Sequence, residues 1–353
     1  MKIEELLRLA VEKKASDLHV CVGIPPELRV DGELISTDLE PVIPEVANSL
    51  ATSILSKEQA ATFEREKELD FSFAIRGVSR FRVNLYRQRG CVGMVARAIP
   101  FDVPPMGELG VPDIVKEFAD KPNGLFLVTG PVGSGKSTTL AAMVEYINNT
   151  RKTRIITVED PIEYLFKHKR STIDQREIGP DTYSFKNALR HIFRQDPNII
   201  LLGEMRDLES MHIALTLAET GHLILTTLHT TDATHSISRI IDTFPLYQQA
   251  QIRLQLSMVL LGVVSQQLIH CADDKPGRVL ATEVMSVTPS IRNLIRENDI
   301  PQIYSTIQTG KKYGMHTMNQ SLADLYRRGK ISYENTLQCS NNQEELMSLI
   351  ASI

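Results

Sequence analysis

The sequence predicts an α/β fold with a largely parallel sheet in its second half, preceded by a smaller α+β domain. From Leu125 onward, short β-rich runs alternate with helical stretches, a pattern typical of parallel sheets with helices on both sides. Residues 1–100 instead contain consecutive strands with alternating apolar positions, and prolines and glycines crowd residues 100–112, which indicates a linker. We predict a first domain over 1–100, a linker over 101–114 and a second domain over 115–353.

Bulk composition agrees with two soluble domains. The chain has 353 residues, of which 42% are hydrophobic and 23% charged, as in ordinary globular proteins. Its formal net charge of -4 leaves no basic footprint for nucleic acid, so we expect no nucleic-acid partner. The four cysteines form no C-x-x-C pair, which argues against a structural zinc.

The sequence shows no visible signal peptide and no apolar run of spanning length. Residues 1–14 are charged and helical in pattern, and the apolar run Met258–Val264 is too short to span a bilayer. We therefore expect a cytoplasmic protein.

In the first domain, alternation and turn residues predict each element. Residues 1–14 place Ile3, Leu6, Leu7, Ala10 and Val11 on one helix face. Then follow a strand within Ala15–Val20, a hairpin over 25–34 with its turn at Asp31-Gly32, a solvated helix over Thr52–Glu68, and strands Asp70–Ile75, Ser79–Leu85 and Gly93–Ile99.

Arginines are concentrated on one face of the last two strands of this domain. Arg80 and Arg82 alternate with apolar residues along one strand, and Arg97 lies on the next. They form a candidate cluster of positive charge, of the kind that one subunit can contribute to a site in a neighbouring subunit. Arg206 and Arg239 are the corresponding candidates in the second domain. For any single arginine, an ordinary surface role is the simpler interpretation.

In the second domain, four β-rich runs separated by helical stretches predict the parallel strands. The strands are Leu125–Thr129, Arg154–Glu159, Asn198–Gly203 and Leu223–Leu228, and the later helices include Leu246–Ile269 and Ser290–Glu297.

The first of these strands runs into Gly130-x-x-x-x-Gly135-Lys136-Ser137 and then into a helix-forming run. This order is the context that a phosphate-binding loop requires, with backbone N–H groups and a helix N-terminus directed at one anion. Lys136 is expected to reach the β- and γ-phosphates, and the Ser137 hydroxyl to ligate Mg²⁺. We predict that ATP is bound by Gly130, Gly133, Ser134, Gly135, Lys136, Ser137 and Thr138.

Two glutamates and a histidine stand where predicted strands end. Glu159 and Glu204 each follow a β-rich run, and in an open parallel sheet the ligand lies at this edge. At the position of the usual Walker B aspartate stands Gly203, and the acid comes one residue later. Strand-end acids can also cap helices. His229 ends another strand, where a γ-phosphate sensor and a structural histidine are both open interpretations.

In combination, these motifs resemble the secretion ATPases. The resemblance rests on Gly130-Pro-Val-Gly-Ser-Gly-Lys-Ser-Thr138, Thr157-Val-Glu-Asp-Pro-Ile-Glu163, Leu202-Gly-Glu-Met-Arg-Asp207, Ala218-Glu-Thr-Gly-His-Leu223 and Thr227-Leu-His-Thr230. They look like the Walker A, aspartate, Walker B and histidine boxes. Within that superfamily the chain is most similar to the type IV pilus retraction ATPase (PilT) family, also in Ile291-Arg-Asn-Leu-Ile-Arg-Glu297.

The resemblance implies a hexameric ring with a PAS-like N-terminal domain and a RecA-like, P-loop ATPase domain. It implies that Glu159 polarises the attacking water, that Glu204 helps to hold Mg²⁺, and that Arg82 and Arg97 reach the nucleotide. The implied activity is pilus retraction at the inner face of the inner membrane. The implied partners are a platform protein and the pilin machinery. The motor would associate with the membrane only through these partners.

Three rival interpretations remain open at this point. The chain could drive another secretion or conjugation system. A scaffold that binds ATP with negligible hydrolysis is disfavoured by the two strand-end glutamates. A nucleic-acid translocase would require stimulation by DNA or RNA and strongly salt-dependent binding.

Overall fold

The computed structural model describes residues 2–30, 32–99, 102–272 and 277–351. It divides into two compact units, Met1–Asp102 and Val103–Ile353. The first is an antiparallel α+β unit and the second an α/β unit with a mixed, mostly parallel sheet, so the predicted fold class is confirmed. Across these ranges, no helix has the length and apolar character needed to cross a membrane.

The first unit is an antiparallel sheet in the order β3-β2-β1-β6-β5-β4, accompanied by helices. Its strands are β1 (Asp17–Val20), β2 (Glu27–Val30), β3 (Glu33–Ser36), β4 (Glu68–Ile75), β5 (Ser79–Gln88) and β6 (Cys91–Ile99), and its helices are α1 (Ile3–Glu12), α2 (Pro44–Thr52) and α3 (Lys57–Glu66).

Alternation of side chains builds the core of this unit. Phe81, Val83 and Leu85 on β5 are fully buried, and residues between them face the other side of the sheet because strand periodicity is two. Ile3 and Leu6 of α1 join the same cluster, as their helical spacing predicts. These strands and this helix are confirmed; Asp31 of the predicted hairpin turn lies outside the described residues.

The second unit contains a sheet in the order β13-β12-β7-β11-β10-β8-β9. Among its described residues, β13 at the edge pairs antiparallel with β12, and the other neighbouring strands pair parallel. Its strands are β7 (Gly124–Thr129), β8 (Arg154–Glu159), β9 (Thr172–Glu177), β10 (Ile199–Leu202), β11 (Leu223–Leu228), β12 (Leu260–His270) and β13 (Arg278–Ser286). Its helices are α4 (Ile114–Ala119), α5 (Lys136–Thr150), α6 (Phe185–Ile192), α7 (Leu208–Glu219), α8 (Ala233–Asp242), α9 (Leu246–Val259), α10 (Pro289–Glu297), α11 (Pro301–Gln308), α12 (Met318–Arg327), α13 (Tyr333–Gln338) and α14 (Gln343–Ala351).

The central strands of this sheet are buried on both faces. Every residue of β7, β10 and β11 is buried, as expected for parallel strands covered by helices on either side. The two hydrophobic clusters on opposite faces share the sheet, with Leu125 in one and Phe126 in the other. The four predicted parallel strands and the helix at Pro289–Glu297 are confirmed.

Two predicted helices are wrong in part. The predicted helix Leu246–Ile269 ends at Val259, and Leu260 begins β12, which pairs with β7 on one side and β13 on the other. Gly262 allows β12 to pair closely with β13, because a Cβ at this position would lie 2.8 Å from the carbonyl oxygen of Met285. Of the predicted helix Thr52–Glu68, Thr52 is the last residue of α2 and Glu68 is the first of β4. The helix α3 covers Lys57–Glu66, after the cap at Ser56.

Residues of the predicted linker contribute to the second unit. Met106 and Val111 are buried and belong to the cluster that covers one face of the large sheet. Phe101, at the start of the predicted linker, lies outside the described residues. The three-part division of the chain stays a prediction.

Candidate active site

The phosphate-binding motif forms a loop between β7 and α5. Its glycines Gly130, Gly133 and Gly135 have φ angles of 139°, 79° and 89°, in the region that favours glycine. At Gly130 space is also limiting, because a Cβ would lie 2.3 Å from the backbone oxygen of Gln266 on β12. Gly135 then precedes the first turn of α5, so the helix N-terminus faces the loop.

Lys136 lies inside this loop rather than in solvent. Its Nζ donates to the carbonyl oxygens of Gly130 and Pro131, each at 2.8 Å, and the residue is 8% exposed. Burial lowers the pKa of the ammonium group, and the nearby Glu204 carboxylate opposes that shift. The two carbonyl contacts hold the cation against the backbone of the loop that is expected to cradle phosphate.

Glu159 ends β8 and is almost completely buried. Its Oε1 accepts hydrogen bonds from the Thr157 hydroxyl at 2.6 Å and from Gln175 Nε2 at 3.4 Å. Oε2 faces the backbone N–H of Glu163 at 3.5 Å. Desolvation outweighs these donors and raises the pKa of Glu159 to about 7. A carboxyl with a pKa near neutrality is suited to exchange a proton with a nucleophilic water.

A row of polar groups connects Glu204 to the phosphate loop. Glu204 Oε2 accepts from Arg206 Nε at 2.7 Å, while its Oε1 lies 3.2 Å from His229 Nε2. His229 Nδ1 lies 3.4 Å from Lys136 Nζ. Because an ammonium group can only donate, Nδ1 accepts here and the ring proton on Nε2 is directed to Glu204. His229 therefore bridges the loop lysine and the strand-end glutamate.

These groups border a single cavity of about 320 Å³. It is lined by Gly133, Lys136 and Ser137 from the loop, by Glu159 and Glu204 from the strand ends, and by Arg206 and His229. The parallel register explains their meeting, because β8, β10 and β11 end at the same edge of the sheet. Six residues predicted to bind the nucleotide or to act on it thus line one cavity.

The predicted arginines of the first unit lie together on the outer side of its sheet. Arg82 and Arg97 stand opposite each other in the β5–β6 register, and both are exposed. Arg97 Nε also donates to the buried Asp17 at 2.8 Å. This confirms that the two side chains share a sheet face; their approach to a nucleotide stays a prediction.

The donor set at the cavity fits a magnesium ion bound together with phosphates. Ser137 and Glu204 supply a hydroxyl and a carboxylate, the hard oxygen ligands that Mg²⁺ prefers, and Mg²⁺ commonly takes only one or two protein ligands beside substrate phosphates. Across the described ranges, no group of three or more His, Cys, Asp or Glu side chains could hold a metal by itself.

Several contacting residues escaped sequence-based prediction. Gln175 lies on β9, a strand that the periodicity does not reveal, and Thr157 is recognisable only as the residue two positions before Glu159 on the same strand face. Tyr164 lies 3.0 Å from Thr138 through the two hydroxyl oxygens. It comes from an irregular segment in which no periodic signal points to the cavity.

The raised pKa of Glu159 makes turnover depend on pH. The protonated acid cannot act as a base, so kcat should rise through an acidic limb near pH 7. Removing the Thr157 hydroxyl takes away a donor that stabilises the carboxylate, so Thr157→Val should move this limb upward by about one pH unit. The measurement is kcat for ATP between about pH 5.5 and 9.

Thr157→Ser, which keeps the hydroxyl, is the matched control and should leave the limb in place. Burial also raises the pKa of Glu283 to about 7, but that group has no contact with Thr157, so an unmoved limb in Thr157→Val would exclude Glu159 as its origin. The free energy of unfolding changes with pH in the opposite direction to kcat. Between about pH 4.5 and 7 the folded protein holds a proton on Glu159 that the unfolded chain has released, so this contribution to stability is full below that window and lost through pH 7.

Comparison with known proteins agrees with this geometry. Residues 2–338 match the family model described as "Type II/IV secretion system protein". A Pseudomonas aeruginosa relative described as a type IV pilus retraction ATPase, PilT, is 49% identical over 335 residues, covering 95% of this chain and 97% of its own. A twitching motility protein of Neisseria gonorrhoeae is 45% identical, covering 98% of this chain and 92% of its own.

A solved structure extends the likeness to three dimensions. The crystal structure titled as the pilus retraction motor PilT with bound ADP superposes with a TM-score of 0.92 at 47% identity, covering 99% of both chains. The family resemblance inferred from the four motifs is confirmed. The PAS-like character of the first unit and the roles of individual site residues stay predictions.

Proposed function

The chain belongs to the type II/IV secretion system protein family, and from this premise we propose that it is an ATP-hydrolysing motor for type IV pilus retraction. Relatives described as a pilus retraction ATPase and as a twitching motility protein match nearly the whole chain, and most of their own length is covered. Retraction by a motor of this kind would support twitching motility.

One observation carries the ATPase part of the proposal. The phosphate loop and two strand-end glutamates line the same cavity, with Lys136 held on the loop carbonyls and Glu159 buried opposite. Phosphoryl transfer depends mainly on positioning and on charge stabilisation. The loop would position the phosphates and the Glu159 carboxylate would position the attacking water. The row of polar groups between them would stabilise charge.

In this proposal each residue has a distinct task. The backbone N–H groups of the loop and Lys136 bind the β- and γ-phosphates of ATP, and Ser134 and Thr138 complete the cradle. Ser137 and Glu204 would hold Mg²⁺, which when bound neutralises developing charge on the phosphate oxygens. His229, between Lys136 and Glu204, senses the γ-phosphate.

Glu159 orients the attacking water and takes its proton. Burial keeps the carboxyl away from bulk solvent, and the Thr157 and Gln175 donors both face Oε1. That leaves Oε2, which has one long contact to the Glu163 N–H, as the oxygen for a water molecule. General-base catalysis of this type typically contributes about 10²–10⁴-fold in rate.

We further propose a homohexamer in which Arg82 and Arg97 of the PAS-like domain (1–100) reach a nucleotide held by a RecA-like ATPase domain (115–353). The linker 101–114 would allow the two to close upon ATP binding, as in hinge-type motors. The motor would work at the cytoplasmic face of the inner membrane through a platform protein and the pilin machinery. It would take no nucleic acid.

The test combines assembly, turnover and retraction. Size-exclusion chromatography with light scattering should give purified wild-type protein a mass six times that of the chain. The protein should hydrolyse ATP only when Mg²⁺ is present. The gene should restore twitching to a strain that lacks its own retraction ATPase. The Arg82→Ala variant should not restore it, whereas Glu68→Ala, at an exposed position at the start of the adjacent strand β4, should. A monomer without turnover would contradict the motor. An active hexamer that restores no twitching would contradict the pilus assignment alone.

A further inference from the structure

A buried carboxyl outside the nucleotide cavity joins two helices of the second unit. Glu283 lies on β13 and is 2% exposed. Its Oε1 accepts from the backbone N–H of Ala233 at 2.9 Å, and the N–H of Met318 also donates to it. Ala233 begins α8 and Met318 begins α12. One side chain thus satisfies the first N–H of two helices, groups that otherwise lack partners within the helix.

The first of these helices carries the His229 loop. Only residues 230–232 separate His229 from α8, and their side chains tie the loop to the helix. Thr230 and Ser236 share a hydroxyl contact of 2.6 Å, and Ser236 Oγ donates to the Asp232 carbonyl at 2.6 Å. Asp232 in turn accepts from the N–H of His235 at 2.8 Å. These short contacts fasten the loop to the first turn of α8.

The second helix belongs to the C-terminal part of the chain. It starts after the cap at Thr317, packs on β13, and buries Leu322 in a cluster with Leu346 of α14. Asn319 of the same helix donates to Glu345 of α14 at 2.6 Å. The carboxyl of Glu283 therefore links the start of α12 to the start of α8, the helix that follows His229.

We propose that Glu283 is a positioning residue for ATP turnover: it holds the start of α8 so that His229 lies between Lys136 and Glu204, and it ties that placement to α12. The inference rests on the proposed function, since the part of His229 in turnover belongs to it. Glu283 does not touch the cavity, and its effect is exerted entirely through the loop 229–232.

A double-mutant cycle separates this role from simple stabilisation. Glu283→Ala should lower kcat by about 10-fold or more while changing the KM for ATP by less than about 2-fold. In a His229→Ala background the same substitution should lower kcat by less than about 2-fold, because the group it positions is already gone. Glu283→Gln keeps an oxygen for the Ala233 N–H and should recover most of the kcat.

Ser332→Ala is the matched control, since Ser332 caps α13 through the N–H of Asn335 at 3.1 Å without contact to α8. It should lower the melting temperature and leave kcat unchanged. Hydrogen exchange provides a readout independent of turnover: Glu283→Ala, or Glu283→Asp where the alanine variant does not assemble, should speed amide exchange over residues 229–236, and Ser332→Ala should not.

Equal losses of kcat in both backgrounds, an unchanged kcat in Glu283→Ala, or unaltered exchange over 229–236 would each overturn the positioning role. These outcomes differ from failure of the proposed function, in which wild-type protein itself would not hydrolyse ATP. If wild type turns over and His229→Ala does too at the same rate, a loss in Glu283→Ala would also count against the inference.

Discussion

Glu159→Gln is expected to reduce ATP turnover by about 10³-fold while the protein remains folded and still binds nucleotide. The amide keeps the size of the carboxyl and can still accept from Thr157 at the oxygen that now lies 2.6 Å from its hydroxyl. It cannot accept a proton from water. The measurement is steady-state kcat at saturating ATP, together with the Kd of a fluorescent ATP analogue.

Stability provides the internal control for this substitution. Because burial raises the pKa of Glu159 to about 7, the wild-type protein must either bury a charge or bind a proton at alkaline pH. Glu159→Gln should therefore melt higher than wild type at pH 8.5 and equally at pH 5.5. Glu163→Gln, in the same segment, should keep a kcat near wild type. Turnover above about one tenth of wild type in Glu159→Gln would remove Glu159 from the role of base.

Lys136→Ala is expected to weaken ATP binding by about 100-fold or more and to abolish turnover. The ammonium group is nearly buried and held by two loop carbonyls, so its loss removes a positive charge that water cannot readily replace. A charge-assisted hydrogen bond to phosphate is worth roughly 1.5–3 kcal/mol, and 2.7 kcal/mol corresponds to about 100-fold in Kd. Equilibrium titration with ATP and with ADP is the measurement.

The control for Lys136→Ala is Lys152→Ala, at an exposed lysine just after α5, which should bind and hydrolyse ATP normally. Lys136→Arg should bind better than the alanine variant but turn over poorly, since the larger guanidinium does not fit between Gly130 and His229. An alanine variant with wild-type affinity for ATP would show that the loop lysine does not contact the phosphates, and the proposed binding mode would have to be abandoned.

Sequence alone determined the parts of this protein that depend on local pattern. The loop from Gly130 to Ser137 is recognisable because its glycines, lysine and hydroxyl must occur at fixed spacing between a strand and a helix. The strands that end at Glu159 and His229 are recognisable because four apolar, β-branched runs recur between helical stretches. Together these were sufficient to place both residues at one edge of a parallel sheet.

Only the tertiary structure decided which groups touch and how strongly their environment changes them. The sequence pattern of β12 predicts a continuation of the helix α9. In the structure this segment is extended because it pairs with β7 and β13. The pKa of Glu159 depends on burial between segments that are distant in the chain. Gln175 contacts Glu159 from 16 residues away in the sequence, and Glu283 contacts Ala233 from 50 residues away. Periodicity reports which side of an element is apolar, whereas desolvation and hydrogen bonding depend on what other elements bring to that side.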